Sequence, residues 1–256
     1  MGPHFVSTGG LCLVALAACA CAEDAARPLK LVVGRSFAVS TGVQQGIATD
    51  GTHVFVQSTY ELVKYDIEGR LIARSGKLTL HHGGIACHDG KVYAAASECC
   101  KEGTKVHRVL VYDAETLEKV AEHDIGEFFG VCAGAIAYYN GHFYVAESYF
   151  DNDHQDFIVE FDESFKRVAA YTIDFKCPYG IQGLDYLPDV GKFVVNSHGR
   201  AFYLIAPDFD SKTIEAGEAA FELQDVAYLE PGTCVVNDRR GLKVVFVGVV
   251  KDTESK

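Results

Sequence analysis

The sequence predicts an all-β repeat protein, and three observations lead to that prediction. One design occurs five times: a strand that begins with small residues, a tight turn, and a second strand of alternating character. The copies begin at residues 46, 84, 135, 183 and 225, a spacing typical of propeller blades. The 25 glycines and a mean hydropathy of +0.07 indicate a folded, turn-rich chain. Together these features predict a five-bladed β-propeller.

Each copy is predicted to continue with a third and a fourth strand. In the first three copies the turn between them opens at Asp66, Asp113 and Asp162. An Asp is expected there because its side chain bonds to the backbone two residues further on. The fourth copy is looser, with strands predicted at 201–207 and 213–220.

The fifth copy lacks a fourth strand, because only three strands lie between Asp225 and Val250. Leu29 to Ala38 has the character of a strand but no partner nearby in the sequence. We therefore expect this N-terminal strand to complete the last blade. Such a closure removes an exposed sheet edge that would favour aggregation.

The N-terminus resembles an export signal. Residues 11–20 form an apolar run that is too short to span a bilayer, and Ala20-Cys21-Ala22 fits a cleavage site of small residues. The sequence thus predicts a signal peptide over residues 1–22 and a single propeller domain over residues 23–256.

A second interpretation of the N-terminus is a lipoprotein signal that ends at residue 18. Leu16-Ala17-Ala18-Cys19 resembles a lipobox, in which Cys19 is acylated and anchors the protein to a membrane. Both interpretations predict an extracytoplasmic protein, either secreted, periplasmic or lipid-anchored.

Cysteine usage agrees with export. Six cysteines follow residue 22, and an even number in an exported protein predicts disulfides. Cys99 and Cys100 lie in a loop on the same propeller face as Cys132, so one of the adjacent pair is expected to bond Cys132. Cys87 and Cys234 lie within strands and are expected to be buried free thiols.

The charge balance excludes one class of partner. With 35 acidic and 23 basic residues the formal net charge is −12, and no basic stripe is present. Nucleic-acid binding requires clustered Lys and Arg to neutralise phosphates. The expected partner is therefore a small molecule, a glycan or a protein, with a membrane only if Cys19 is lipidated.

The candidate site is the mouth of the central channel. In a propeller, the loops before each innermost strand and after each second strand share this face. Tyr60, Tyr149 and Tyr179 fall near it and are suited either to stack on a sugar or to cover the core. The polar residues predicted to bind a ligand there are Gln45, His82, Glu98, Glu147, Gln182, Asn196, His198, Gln224, Asn237 and Asp238.

The blade pattern resembles a propeller group that includes NHL-repeat proteins, regucalcin-like and strictosidine-synthase-like lactonases and lyases, and plant-type glutaminyl cyclases. Regucalcin-like enzymes hold a divalent cation at the channel mouth with Glu, Asn and Asp ligands. The resemblance implies Glu147, Asn196, Asn237 and Asp238 as metal ligands and Ca²⁺ as the candidate ion. The early glutamate of that family falls near Gln45, which carries no charge.

Two short motifs resemble the plant-type glutaminyl cyclases. They are Gln45-Gly46-Ile47 and Gln182-Gly183-Leu184. That family also carries Trp-bearing motifs, and this chain contains no Trp. The cyclase resemblance is therefore taken as a resemblance of fold, with no activity attached to it.

The preferred function is an exported propeller that binds a small molecule, glycan or protein loop at the channel mouth. The alternative is a cation-dependent, lactonase-like hydrolase in which a carboxylate such as Glu147 or Asp238 activates water on the metal. The two functions differ in whether the purified protein holds a stoichiometric cation.

Overall fold

A computed structural model describes residues 29–41, 44–149, 154–174 and 177–251. The predicted signal peptide and Cys19 lie outside these residues. In the part that is described, no helix has the length and apolar character needed to cross a bilayer.

One 3-10 helix, Ser211–Thr213, accompanies the strands in the described residues. The strands are β1 Leu29–Ala38, β2 Gln44–Thr49, β3 His53–Ser58, β4 Leu62–Asp66, β5 Leu71–Arg74, β6 His81–His88, β7 Lys91–Ser97, β8 His107–Asp113, β9 Lys119–Asp124, β10 Cys132–Tyr139, β11 His142–Ser148, β12 Phe157–Asp162, β13 Arg167–Thr172, β14 Gly183–Leu187, β15 Lys192–Asn196, β16 Gly199–Ile205, β17 Glu215–Glu230, β18 Thr233–Asp238 and β19 Lys243–Lys251.

The strands form antiparallel four-stranded units that follow one another along the chain. Three units are separate sheets, in the orders β2-β3-β4-β5, β6-β7-β8-β9 and β10-β11-β12-β13. The next two units share β17 and so form one seven-stranded sheet. The first half of β17 pairs with β16 as an outer strand, and its second half pairs with β18 as an inner strand.

The N-terminal strand completes the last unit. β1 pairs antiparallel with β19, for example Leu31 with Val249 and Val33 with Val247. The pairing confirms the prediction that β1 supplies the missing fourth strand. It also leaves β19 with a partner on both sides, because β18 pairs with its other edge.

The five units form a closed ring. Their innermost strands, β2, β6, β10, β14 and β17, contact one another in sequence, and β17 returns to β2. The core in the described residues consists of five apolar clusters, each lying between two neighbouring units. Between the third and fourth units, for example, Tyr144 packs against Phe193 with ring centroids 5.0 Å apart. The chain is a β-propeller, as predicted.

One predicted boundary is wrong. The sequence suggested separate strands at 213–220 and 225–230, whereas β17 is continuous over Glu215–Glu230. Residues 221–224 contain no Gly, Pro or Asp to start a turn. Leu223 is buried in the cluster between the last two blades, and Phe221 packs against that cluster, so the strand continues through this segment.

The turns between the third and fourth strands are capped as expected. The side chain of Asp66 accepts from the Arg70 backbone N–H at 2.7 Å. In the next two blades, Asp113 accepts from the Thr116 N–H at 2.8 Å and Asp162 accepts from the Ser164 N–H at 2.9 Å. The predicted bond to the backbone two residues further on is present at Asp162 and also at Asp113, which accepts from the Glu115 N–H at 3.1 Å. Asp66 differs, because its bond reaches four residues on.

Glycines allow the innermost strands to approach one another around the channel. A Cβ on Gly83 would lie 2.5 Å from the carbonyl oxygen of Gly134 in the next blade. A Cβ on Gly46 would lie 2.9 Å from the carbonyl oxygen of Gly83, and one on Gly134 would lie 2.6 Å from that of Ile181. A small residue at the start of a copy, or directly before it, is therefore required by the neighbouring backbone.

Candidate functional site

Three glutamine amides meet where the innermost strands begin, which we call the upper end of the channel. Gln224 Nε2 donates to Oε1 of Gln45 at 3.1 Å and to Oε1 of Gln182 at 3.5 Å. All three side chains are buried. The structure thus brings together three of the residues predicted to bind a ligand. Gln224 Oε1 has no hydrogen-bond partner among the described residues, and a buried polar atom of this kind marks a place for water or a ligand.

A cavity of about 320 Å³ opens over these amides at the mouth. Its volume is near the lower end of the range for small-molecule pockets, about 300–1,000 Å³. Residues of all five blades line it. The lining side chains able to form hydrogen bonds or to stack are Gln45, His81, Ser148, Tyr149, Tyr179, Gln182, His198 and Arg239.

Among the described residues that line this cavity, Arg239 is the only Asp, Glu, Lys or Arg. Its Nη1 donates to Nδ1 of His198 at 3.3 Å. Burial, and then the positive charge of Arg239, lower the pKa of His198 to about 4. His198 is therefore neutral near pH 7, and its Nε2 carries the proton. That N–H has no partner among the described residues, so the pocket offers a cation and a spare donor to an anion.

Two tyrosine rings form part of the wall. The Tyr149 hydroxyl donates to Oε2 of Glu147 at 2.8 Å, and the Tyr149 N–H donates to the carbonyl oxygen of Tyr179 at 2.9 Å. Tyr179 has a φ of 65°, a left-handed conformation that costs a non-glycine residue about 1–3 kcal/mol. Such strain persists only where the surroundings fix the backbone. Both rings are consequently held at the mouth, as the sequence predicted for them.

Tyr60, the third tyrosine predicted near the mouth, does not line this cavity. The residue is 48% exposed, and the Lys77 ammonium lies 5.9 Å from the centroid of its ring.

A disulfide between Cys100 and Cys132 forms another part of the wall. This bond confirms the prediction that one of the adjacent cysteines joins Cys132, and it links the second blade to the third. Cys99 is a free thiol. Cys87 and Cys234 are also free, as predicted; Cys234 is buried and Cys87 is half-buried. Burial raises the pKa of each to about 12.

His82 does not reach the mouth. Its Nδ1 lies 2.8 Å from the Leu80 carbonyl oxygen, and its Nε2 lies 2.8 Å from the Tyr112 hydroxyl, inside the blade. Neighbouring side chains on a strand point to opposite faces, so His81 lines the pocket in place of His82. Glu98 is exposed on the loop that follows β7 and does not line this cavity.

The two predicted carboxylate ligands for a cation are engaged with the protein. Glu147 Oε1 accepts from the backbone N–H groups of Gly130 and Val131, at 2.6 and 2.7 Å. Its Oε2 accepts from Tyr149. Asp238 Oδ1 accepts from the Gly241 N–H at 2.9 Å. Both carboxylates hold loops in place, so these contacts do not favour a calcium ion, and the calcium site stays a prediction.

The two predicted amide ligands, Asn196 and Asn237, are buried and do not line the mouth cavity. Asn196 Oδ1 and both polar side-chain atoms of Asn237 lack partners within the described ranges. The described residues contain one group of three His, Cys, Asp or Glu side chains whose ligand atoms lie within 4.8 Å of one another. It comprises His81, Cys100 and Cys132.

Asp225 lies across the channel below the amides, in the position that glycine holds in the neighbouring copies. Its Oδ2 accepts from the Ile47 N–H of the first blade at 2.9 Å, and its Oδ1 accepts from its neighbour Val226 at 2.8 Å. Burial raises the pKa of Asp225 well above its usual range, against the effect of these N–H groups, and negative Asp185 adds to the rise. The break in the glycine pattern was the only sequence signal for this residue.

Asp185 lies at the lower end, where a second cavity of about 220 Å³ is found. Its Oδ2 accepts from the Tyr228 N–H at 2.7 Å, and its Oδ1 accepts from the Tyr186 N–H at 2.9 Å. Burial raises the pKa of Asp185 to about 7, although these two N–H groups lower it. No sequence pattern predicted this carboxyl group.

The raised pKa of Asp185 predicts a pH effect on stability. The contribution of Asp185 to the free energy of unfolding is fully present below about pH 4, where its carboxyl is protonated in both the folded and the unfolded protein. That contribution is lost as the pH rises through 7. One pKa unit corresponds to about 1.4 kcal/mol, so the loss is a few kcal/mol. Thermal unfolding of wild type and Asp185→Asn from pH 4 to 8 should show the wild type losing stability relative to the variant. The exposed Glu68→Gln should run parallel to wild type, and parallel curves for Asp185→Asn would contradict the assignment.

No protein-family description matches this chain, and no curated protein matches it. Solved structures do. The glutaminyl cyclase of Myxococcus xanthus matches with a TM-score of 0.66 and 14% identity, over 88% of this chain and 99% of that one. The PQQ-bound aldose sugar dehydrogenase of Streptomyces coelicolor matches with a TM-score of 0.53 and 14% identity, over 88% and 100%. The WD40 propeller domain of Doa1 matches with a TM-score of 0.52 and 9% identity, over 84% of this chain and 81% of that one.

These likenesses, at 9–14% identity, show the fold. The chain is a β-propeller protein, and the similar propellers named here are two enzymes and a WD40 domain. The three names include no NHL-repeat or regucalcin-like protein, so that finer resemblance stays a prediction.

Proposed function

We propose that this chain is an exported binding protein that holds a small, carboxylated, hydroxyl-rich molecule in the pocket at its channel mouth. The observation that carries the proposal is Arg239, which is the one charged side chain among the described residues lining the cavity; the others are neutral amides, rings and small residues. A hexuronic acid is the simplest ligand of this class.

The charge of Arg239 supports an anionic ligand. A guanidinium binds a carboxylate through two parallel hydrogen bonds, which adds geometric specificity to the attraction. Partial burial strengthens the attraction relative to an exposed pair. The net charge of −12 repels anions from the rest of the surface, so an anion that binds this protein needs a local cation. The spare His198 N–H beside Arg239 provides one more donor.

The other lining groups support a sugar-like body for the ligand. The rings of Tyr149 and Tyr179 suit the apolar faces of a pyranose. The amides of Gln45 and Gln182 and the hydroxyl of Ser148 suit ring hydroxyls, since each can donate or accept. The cavity is large enough for one such ring and too small for a folded partner.

Export is supported by the predicted signal over residues 1–22 and by the Cys100–Cys132 bond, because disulfides persist in oxidising compartments. Anchoring through Cys19 remains the second form of the same proposal.

Calorimetric titration with galacturonate and galactose tests the proposal. Wild type should bind galacturonate more tightly than the neutral sugar by about tenfold to a hundredfold, the value of a charge-assisted pair of about 1.5–3 kcal/mol. Arg239→Gln should remove that preference. The neighbouring Arg240→Gln should keep it, because Arg240 is exposed and pairs with Glu222 at 2.7 Å. Equal affinity for both sugars, or unchanged binding by Arg239→Gln, would refute the proposal.

The same preparation separates binding from the alternative of a cation-dependent hydrolase. A binding protein that relies on Arg239 should keep its affinity for galacturonate after treatment with EDTA, and metal analysis should find no stoichiometric calcium. Affinity that disappears with EDTA and returns with Ca²⁺ would favour the hydrolase instead.

A further inference from the structure

One wall of the mouth pocket carries a group of metal-ligating atoms. The sulfurs of Cys100 and Cys132 and a ring nitrogen of His81 all lie within 4.8 Å of one another. We propose that reduction of the Cys100–Cys132 disulfide converts this wall into a zinc site, in which two thiolates and one imidazole bind the ion. The site is separate from the proposed role of Arg239, which supplies no ligand to it.

The three ligands come from segments that the fold holds in place. His81 begins β6, where it pairs with Ser97 at the end of β7. Cys132 begins β10, where it pairs with Ser148 at the end of β11. Cys100 follows β7, and its Cα lies 4.7 Å from that of Cys132. Backbone hydrogen bonds also hold the loop that carries Cys100, from the Glu98 N–H to the Val106 carbonyl oxygen at 3.0 Å and from the Gly103 N–H to that of Gly130 at 2.9 Å. We therefore expect the two sulfurs to remain neighbours when the bond is open.

The ring of His81 is available as a ligand. It makes no hydrogen bond to any residue that the structure describes, and it is half-buried at the pocket wall. His82, in contrast, uses both ring nitrogens inside the blade. A partnerless imidazole beside two sulfurs is the second observation that points to a metal ion.

The donor set suits zinc. Zn²⁺ accepts two Cys and one His as ligands and leaves its fourth position to water or a ligand. Softer donors such as thiolates disfavour Ca²⁺ and Mg²⁺, which prefer oxygen. The fourth position would face the mouth cavity, since all three residues line it.

The chemistry balances with a dithiol as the reductant. The dithiol gives two electrons and two protons, the S–S bond breaks to yield two thiols, and the dithiol becomes a disulfide. Zinc then displaces the two thiol protons to solvent and binds the lone pair of neutral His81. Exchange with a small-molecule disulfide, which accepts the two electrons and becomes a dithiol, reforms the Cys100–Cys132 bond and releases the ion. Zinc binding is therefore confined to the reduced protein.

The test compares oxidised and dithiol-reduced full chain by zinc titration against a competing chromophoric chelator. Co²⁺ in place of zinc reports thiolate ligands through its charge-transfer absorption. We expect the reduced protein to bind one more zinc ion than the oxidised protein. Removing a residue that only hydrogen-bonds to a metal ligand weakens metal binding by about 10–100-fold, and removing the ligand itself should weaken it further. We therefore expect His81→Gln and Cys100→Ser each to weaken zinc binding by at least a hundredfold.

Cys99→Ser is the matched control, because Cys99 adjoins Cys100 but lies outside the ligand group. It should bind zinc within twofold of wild type. His81→Gln retains both cysteines and therefore tests the ligand set even if Cys100→Ser fails to fold. Equal zinc binding before and after reduction would overturn the inference, and so would full affinity in His81→Gln or an equal loss in Cys99→Ser. Galacturonate binding by the oxidised protein is measured separately, so failure of one proposal is distinguishable from failure of the other.

Discussion

Removing β1 should prevent the chain from folding into a stable monomer. A chain that starts at Val39 loses the ladder with β19 and leaves that edge unpaired. It also loses Leu29, which is buried between the last two blades, and Phe37, which packs 5.4 Å from Tyr65 of the first blade. Truncating a buried Leu costs about 2–5 kcal/mol, and the loss of half-buried Phe37 and of the strand pairing adds to that cost. At about 2–4 °C per kcal/mol for a domain of this size, we expect the melting temperature to fall by about 10 °C or more.

The matched control is a chain that starts at Leu29 and so retains β1. It should melt as the longer chain does and elute as a monomer in gel filtration. The chain from Val39 should aggregate or elute as a larger species, because an open β19 edge pairs with other copies. A monomeric chain from Val39 with an unchanged melting temperature would show that β1 does not close the ring.

Gly83→Ala should cost the fold about 2–4 kcal/mol. The added Cβ would lie 2.5 Å from the Gly134 carbonyl oxygen and 2.9 Å from that of Ala133. Overpacking typically costs about 1–3 kcal/mol, and here the atoms that must move belong to the backbone of the next blade. Urea unfolding followed by circular dichroism measures the change.

Gly76→Ala is the control for the glycine prediction. A Cβ at Gly76 meets nothing within 4 Å, and Gly76 has no positive φ. The substitution should be neutral or stabilise the protein by up to about 1 kcal/mol, through the lower entropy of the unfolded chain. Equal effects of the two substitutions would contradict the close approach of the innermost strands.

The propeller could be predicted from the sequence because its signals are local. Alternation in strands such as His53–Ser58 and the turns that open at Asp113 and Asp162 depend on residues close in the chain. The role of Leu29–Ala38 followed from a strand that had no local partner. The continuity of β17 could not be predicted in the same way, because burial of Leu223 between two blades depends on residues far away in the sequence.

The candidate site could be predicted only by position. Gln45 and Gln182 lie at the start of innermost strands, and Gln224 lies where β17 passes from its outer to its inner half. Ring closure brings such residues together whatever their side chains are. Which of two adjacent residues faces the pocket depends on strand twist and bulges. The pairing of β6 with β7 shifts register between His82 and Ile85, and the sequence pattern does not predict this shift. The sequence therefore predicted His82 at the mouth, whereas the structure places His81 there.

The role of Arg239 could not be predicted from the sequence either. Arg239 follows Asn237 and Asp238 at the end of β18, and because all three are polar, the sequence does not show which of them faces the pocket. The structure points Arg239 into the cavity and turns Asp238 to cap the Gly241 N–H. That choice decides the charge of the pocket, and with it the class of ligand.

A crystal structure of the oxidised protein with galacturonate tests the central claim most directly. We expect density in the mouth cavity, with the carboxylate against the Arg239 guanidinium and the sugar ring beside Tyr149 and Tyr179. Density in the lower cavity beside Asp185, or a mouth-bound sugar whose carboxylate does not contact Arg239, would contradict it.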